Sequence, residues 1–573
     1  MSDFSWEKSY PAGVKWEIEI ENKPVYSILD DTVRKWPDNF AIDFMDKKIT
    51  YSELDDMVNR ATKGLQELGV KKGVHVGLYL PNSPHYIICF FAILKAGGTV
   101  VNYSPLDAER ELLHKIEDSQ TDIMITLDVK ALYPNIGSLL GRSRLKKVIV
   151  GNLKEVLPFP KNLLYPIVRA KEIASIPKDD KHVTFKSLLN NDGNCSVVPV
   201  EDPADCVAVL QYTGGTTGLP KGAMLTHRNL VAACQQLRAM QQGDDGVLID
   251  GQERVLAVLP LFHIYALTVN MTFGISGGYE LILHPKFELI DVMKDLDKKK
   301  PTVFPGVPTM YMAIANHPDV ANYDLSSLKF CASGGAPLPL EVQEHFQRVT
   351  GCRLLEGWGM TETSPSGTTT PMTDKVVPGA AGVPAPGIEI RILDVADKTK
   401  IMPVGEIGEI AIKGPNVMKG YWNKPEATAE AFVGDFFLTG DTGYLDEDGY
   451  MHIVDRTKDM ITSGGFNVYP RIIEEAIFEH PAVEEVTVVG IPDEYRGEAA
   501  KAFVKLRQGQ PEFTLASLRE FLADKLGKHE LPAALEFRPE LPKTLVGKLS
   551  KKELVEEERQ KFEARKKVSS KAG

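Results

Sequence analysis

The chain has 573 residues, more than one hydrophobic core ordinarily organises, so two or more domains are expected. Hydrophobic residues make up 43% and charged residues 25%, the balance of a soluble globular protein. The formal net charge of -12 excludes a general nucleic-acid binder, which would need a basic surface. Cys89, Cys195, Cys206, Cys234, Cys331 and Cys352 are scattered, with no C-x-x-C pair, and read as reduced structural thiols in the cytosol. Met1 to Trp6 lacks a basic start and an apolar run, so no signal peptide is indicated. The apolar run from Tyr86 to Leu94 is too short to span a bilayer.

In chain order, Val25 to Trp36 is apolar at helical spacing. Ala41 to Phe44 and Ile49 to Tyr51 read as strands about a turn at Asp46-Lys47. Ser52 is expected to cap a helix that runs through Leu68 and stops at Gly69. Val74 to Leu80, a helix from Tyr86 to Ala96, and Thr99 to Asn102 form a strand-helix-strand unit, which implies a parallel sheet. A helix from Ala108 to Ser119 and a strand from Ile123 to Thr126 repeat the pattern. Lys146 to Val150 looks like a further strand.

Residues 152–186 then break the rhythm with a basic, apolar-flecked insertion that includes Leu157 to Arg169. In an acidic protein such a cluster reads first as a solvated insertion, and contact with a membrane surface is the alternative. Alternation resumes with Val207 to Leu210, Val255 to Leu259, Thr302 to Phe304 and Leu328 to Cys331. From 386 onward short alternating strands (Gly387–Ile392, Gly408–Ile412, Gly449–Val454) indicate a small antiparallel β unit. Beyond Asp455 comes a smaller α+β unit. Its helices lie near Ile472–Phe478 and Leu515–Leu526, its strands at Val486–Val489 and Ala502–Lys505, and a charged tail closes it.

Five polar clusters stand at the ends of these strands, where open α/β sheets bind ligands. The first is Tyr212-Thr213-Gly214-Gly215-Thr216-Thr217-Gly218-Leu219-Pro220-Lys221-Gly222. Its glycines permit close backbone approach to a polyanion, its threonines add donors and Lys221 adds charge. The P-loop spacing is not met, and a flexible surface loop is the plain alternative. The others are Glu356 to Thr363, Leu438-Thr439-Gly440-Asp441, Val454 to Ile461 running on to Ser463-Gly464-Gly465, and Pro542 to Lys548. Singly, each has an ordinary reading as a turn or a solvated lysine. Gly274-Ile275-Ser276-Gly277-Gly278 matches G-x-S-x-G, but a strand follows it rather than precedes it, so a helix-to-strand turn is expected.

Together and in this order the clusters resemble the adenylate-forming superfamily of acyl-CoA synthetases, luciferases and peptide-synthetase adenylation domains. The resemblance runs from Ile49-Thr50-Tyr51 to Lys548. Val101 to Leu106, Leu261-Phe262-His263-Ile264-Tyr265 and the long insertion look most like bacterial long-chain fatty acid–CoA ligases. It implies an α/β fold: a large N-terminal region of parallel α/β subdomains with a small β unit around 386–455, in a domain spanning 1–455. A small, mobile α+β domain, 456–573, follows.

It also implies ATP, Mg2+ and CoA, and two half-reactions: acyl-adenylate formation, then thioester formation. Thr213, Gly214, Gly215, Thr216, Thr217 and Gly218 would cradle the β/γ-phosphates, with Lys221 beside them. Gly214 departs from the serine of many relatives, which removes a hydroxyl and leaves the backbone cradle. Glu362 would bind Mg2+ and Thr361 phosphate, while Trp358 and Gly334-Gly335-Ala336 would flank adenine. Asp441 would take the ribose hydroxyls, helped by Arg456; Lys548 would bridge the attacking carboxylate and the α-phosphate. His263 and Gly306 would belong to the acyl pocket, Lys458 to the hinge, and Gly464 and Gly465 to the CoA path. Expected partners are a fatty acid and CoA, with no nucleic acid. A cytoplasmic location, peripheral contact with the inner face of the membrane and a homodimer complete the expectation. An aryl, short- or medium-chain acid–CoA ligase, or a non-catalytic lipid-binding member, stands as the alternative.

Overall fold

The protein is described by a computed structural model over residues 4–213, 220–241, 246–373, 375, 377–463, 466–493, 496–543 and 549–569. It forms two compact units. One comprises Met1–Glu389 with Lys413–Phe432, the other Ile390–Ile412 with Val433–Gly573.

The first unit holds two large sheets. One has seven strands in the order His182–Thr184, Lys147–Gly151, Thr121–Leu127, His75–Leu78, Thr99–Asn102, Val207–Thr213 and Lys221–Thr226. The first six run parallel and the last is antiparallel to its neighbour. The connecting helix Pro84–Lys95 is buried along its whole length, which explains its nearly unbroken apolar sequence. Its single charge, Lys95, is neutralised by Asp30 at 2.7 Å and Asp55 at 3.1 Å. The second sheet has nine strands. Its central run is Leu354–Trp358, Phe330–Ser333, Val303–Gly306, Arg254–Ala257, Glu280–Leu283 and Phe40–Phe44, all parallel.

Two local expectations are corrected. The helix Tyr51–Glu67 is capped by Thr50, not Ser52: the Thr50 hydroxyl accepts the Glu53 N–H at 3.2 Å and Glu53 accepts the Thr50 N–H at 2.8 Å. That reciprocal pair is the T-x-x-E capping box. The first hairpin turns at Met45-Asp46, one residue early, because both adopt positive φ (52 and 78°), which suits a two-residue turn. The G-x-S-x-G stretch is a helix-to-strand turn as expected: helix Phe273–Ser276, positive φ at Gly278, then strand Glu280–Leu283. Within the insertion lies a helix, Lys161–Val168, and its end returns to the sheet as the edge strand His182–Thr184.

Asp128 ends the Thr121–Leu127 strand and is buried. Burial, reinforced by the Glu155 charge, raises its carboxyl from 3.8 to about 6. The folded state therefore favours the protonated form; the resulting stability is full below about pH 4 and is lost as pH rises through 6. Asp128→Asn is expected to stabilise the protein by about 1–2 kcal/mol at pH 8, after allowance for solvent screening, and by nothing at pH 4. Thermal melts of both proteins across that range check the crossover.

In the second unit, Gly408–Lys413, Phe436–Leu445 and Met451–Arg456 are antiparallel neighbours, with Glu389–Leu393 and Phe432–Val433 completing a five-stranded sheet. A second sheet is built on the long pair Val483–Asp493 and Gly497–Leu506. Its core sets Val486, Val488, Ala502 and Val504 against Ile473 and Ile477 of helix Pro470–Phe478. Leu518 and Leu522 close that core, and the helix Leu515–Phe521, with Leu522 as its C-cap, ends earlier than the expected Leu526.

Candidate active site

The glycine-threonine stretch grows from a hairpin. Val207–Thr213 and Lys221–Thr226 are antiparallel, and Thr213 pairs with Lys221 at the end of the ladder. A P-loop leads from a strand into a helix, so this frame is of another kind. Gly214, Gly215, Thr216, Thr217 and Gly218 lie outside the described residues.

Lys221 extends over the ring of Tyr421, its Nζ 4.5 Å from the ring centre. The Tyr421 hydroxyl in turn donates to Glu362 Oε1 at 2.9 Å. Burial, then the adjacent Glu362 charge, holds the phenol above its ordinary pKa, so it remains a donor. The backbone fixes this arrangement. Met224 N–H donates to Gly420 C=O at 2.8 Å, and Trp422 N–H donates to Gly222 C=O at 2.8 Å. Residues 420–422 are thus laced along the hairpin strand that carries Lys221.

Glu362 is buried on the one-turn helix Thr361–Thr363, with Thr361 half-buried at its start. Asn416, wholly buried, ties down that turn: its amide donates to Thr363 C=O at 2.7 Å and Ser366 C=O at 2.5 Å. Asn416→Ala leaves both buried carbonyls without this donor and is expected to cost about 2–4 kcal/mol of stability. Urea unfolding monitored by fluorescence measures that loss.

Trp358 ends the Leu354–Trp358 strand, which runs parallel to Phe330–Ser333 with Ser333 opposite Glu356. Gly334, Gly335 and Ala336 follow directly, so the two expected walls of the adenine slot leave the sheet at the same edge. Gly335 has φ 75°, a left-handed conformation that glycine adopts without strain. The turn after Trp358 folds back so tightly that a Cβ on Gly359 would lie 1.4 Å from the Pro365 carbonyl oxygen.

Gly306 ends the adjoining strand, opposite Ser333. A Cβ there would meet the Tyr311 ring at 2.9 Å, and one on Gly334 would meet the Tyr265 ring at 3.0 Å. Both tyrosine hydroxyls donate to Ala332 C=O, at 2.8 and 2.9 Å. His263 caps the turn Ile264–Ala266 and accepts the Tyr265 N–H at 3.3 Å. A buried relay joins this segment to the seven-stranded sheet: Tyr86 donates to Asn102, Asn102 to Gln211, and Gln211 to Phe262 C=O, at 2.8, 2.8 and 2.9 Å.

The second unit carries Asp441 and Arg456. They face each other across antiparallel strands, with Arg456 Nε 3.2 Å from Asp441 Oδ1. Gly440, at φ 72°, makes the local bend, and its N–H donates to Glu409 at 3.2 Å. The Thr457 N–H returns to Gly440 C=O at 2.8 Å, and Lys458 follows, exposed, in the next turn. Gly464, Gly465 and Lys548 lie outside the described residues. Among the described residues no three His, Cys, Asp or Glu side chains form a metal cluster. Tyr421, Asn416 and Gln211 escaped the sequence reading; the adjacent aromatics in Gly420-Tyr421-Trp422 were the available signal for the first.

Residues 29–422 match the AMP-binding enzyme family, and residues 472–548 match the AMP-binding enzyme C-terminal domain. The chain belongs to the AMP-binding enzyme family. It is 42% identical over 555 residues to the long-chain-fatty-acid–CoA ligase of Bacillus subtilis (strain 168), covering 96% of this chain and 98% of the relative. The long-chain-fatty-acid–CoA ligase of Escherichia coli O6:H1 is 36% identical over 563 residues, 97% of this chain and 99% of the relative. Among solved structures, ATP-bound MatB from Rhodopseudomonas palustris superposes with a TM-score of 0.81 at 29% identity, covering 94% of this chain and 99% of that one. The Mycobacterium tuberculosis fatty acyl CoA synthetase does so with a TM-score of 0.70 at 28% identity and the same coverage.

Proposed function

We propose that the chain is a long-chain fatty acid–CoA ligase that uses ATP to form an acyl-adenylate and then transfers the acyl group to CoA. The observation that carries this reading is the Lys221–Tyr421–Glu362 array beside the glycine-threonine hairpin. It sets a cation and a buried carboxylate where phosphate chemistry needs charge control rather than a nucleophilic side chain. Full-length similarity to ligases named for long-chain fatty acids supports the substrate class.

Residue roles follow from the same reading. Thr213, the glycines and threonines up to Gly218, and Lys221 hold the β/γ-phosphates. Trp358 and Gly334-Gly335-Ala336 flank adenine, and Thr361 contacts phosphate. Asp441 accepts the ribose hydroxyls, with Arg456 orienting its carboxylate. Bound Mg2+, held by Glu362, supplies positive charge to the phosphates. Lys548 supports adenylation; Lys458 acts as hinge for a mobile domain, 456–573, set against 1–455, and Gly464 and Gly465 serve the CoA path. His263 and Gly306 border the acyl group. The chain acts in the cytoplasm, peripheral at the inner face of the membrane, and a homodimer is its proposed assembly. No helix among the described residues is long and apolar enough to cross a membrane.

ATP–pyrophosphate exchange over a panel of carboxylic acids tests the reading, with exchange expected for palmitate-like acids. A shallower pocket has one observation in its favour, the Tyr265 and Tyr311 rings crowding Gly334 and Gly306. Exchange with benzoate-like acids and none with palmitate-like ones is the result that would install the aryl-acid reading instead.

A further inference from the structure

The helix Lys161–Val168 faces the wrong way for a soluble protein. Leu163, Leu164, Ile167 and Val168 share one side of it at i, i+1, i+4 and i+5, and all four are exposed. Asn162, Tyr165 and Pro166 occupy the opposite side and are the half-buried ones. A surface helix normally turns its apolar stripe inward and its polar residues outward. Here that order is inverted. Ile167 is 75% exposed, and Phe159, just before the helix, is 78% exposed, so neither is merely grazed by solvent. Met45, at the tip of the first hairpin, extends the same patch: Lys161 Nζ reaches the Met45 carbonyl at 3.1 Å and Asp46 at 2.6 Å. Contiguous exposed apolar surface of this kind marks a contact site.

The charge around the patch selects the contact. Residues 152–186 hold seven Lys/Arg against four Asp/Glu, in a chain whose net charge is -12. Lys154, Lys161, Arg169, Lys171, Lys178 and Lys181, all exposed, flank the apolar side chains in sequence, with Lys161 paired to Asp46 and Arg169 to Glu172. Apolar residues that enter the acyl boundary, ringed by lysines at headgroup level, describe an interfacial helix on anionic lipid. Long lysine stems reach the headgroups while the apolar face sinks between them.

We propose that helix Lys161–Val168, with Phe159 and Met45, is the docking surface by which the protein sits on an anionic lipid bilayer. This names the lipid partner of the ligase reading above and rests on it for its purpose: the membrane is where a sparingly soluble acyl chain is found.

The test uses the full chain and vesicles of phosphatidylglycerol with phosphatidylethanolamine, compared with phosphatidylcholine alone, in a flotation assay. The native protein is expected to float with the anionic vesicles and to release as salt rises from about 0.1 to 0.5 M, since screening shortens the reach of the lysines. Leu163→Asp combined with Ile167→Asp is expected to lower vesicle partition about tenfold or more. The same variant should keep the native melting temperature and ATP–pyrophosphate exchange; Ile167→Asp alone, expected to give a smaller loss, serves if the double change unfolds the chain. Equal flotation of native and variant proteins overturns the proposal. So does a native dimer that becomes monomeric in the double variant without any vesicle binding, which would make the face a contact between two copies. The two readings fail separately: vesicle binding without exchange for any fatty acid rejects the ligase, and exchange without vesicle binding rejects the docking surface.

Discussion

Lys548→Ala is expected to slow acyl-adenylate formation by about two to three orders of magnitude, the usual cost of deleting a group that meets developing charge. Thioester formation from supplied acyl-adenylate should stay within about threefold of native, because the thiol attacks the acyl carbon and no bond is made to the α-phosphorus in that step. The described residues on either side of it in sequence are tied down. Lys543 and Leu549 pair across the segment that contains it, Ser550 N–H donates to Pro542 C=O at 2.8 Å, and Lys543 is ion-paired with Glu485 at 2.5 Å. Lys548→Ala removes none of these contacts and should leave the melting temperature unchanged. Single-turnover measurement of each half-reaction decides the matter: an equal fall in both would refute the assignment of Lys548 to adenylation alone.

Glu362→Gln is the second large effect. Glutamine keeps the length of the side chain and an acceptor for the Tyr421 hydroxyl, so the turn held by Asn416 should persist. What it removes is the charge. Exchange is expected to fall about a hundredfold or more and the Mg2+ concentration needed for half-maximal rate to rise. A native Mg2+ titration curve in this variant would remove Glu362 from the metal site. Tyr421→Phe separates orientation from charge. It deletes one hydrogen bond to a carboxylate, worth about 1.5–3 kcal/mol, and should cost less than Glu362→Gln while leaving the Mg2+ requirement in place.

How much was legible in the chain depended on the range of the interaction. Thr99–Asn102 is legible to the residue because Gly97-Gly98 breaks the preceding helix and the β-branched run Thr99-Val100-Val101 follows at once. The capping box at Thr50 was equally local, but Ser52 offered a competing cap two residues on, and the Glu53 partner decides between them. His182–Thr184 gave no such signal: three residues at a sheet edge carry neither periodicity nor an apolar run. The same division holds at the site. Glycine, threonine and acid clusters announce themselves because their chemistry is packed into a few consecutive positions. Tyr421 does not, since it meets Glu362 across 59 residues of sequence and only the lacing along the Lys221 strand brings it there. Asn416 is invisible for the same reason, an amide whose two carbonyl partners lie 53 and 50 residues away.

The paired hydroxyls of Tyr265 and Tyr311 on the Ala332 carbonyl have a bearing on how this protein can diverge. A lone buried donor is hard to replace, because its loss strands the acceptor. Here the Tyr311 hydroxyl is shared between the Ala332 and Phe304 carbonyls, at 2.8 and 2.7 Å, so Tyr265 is the ring that can be trimmed while Ala332 keeps a donor within reach. Each ring also lies against a glycine, Gly334 for one and Gly306 for the other, at the strand ends where the acyl group is proposed to rest. The space beside the reacting carboxylate can therefore be widened at Tyr265 while Tyr311 continues to hold the sheet edge that supports it. A second donor at Ala332 makes the Tyr265 position, and with it substrate range, an evolvable property of this scaffold.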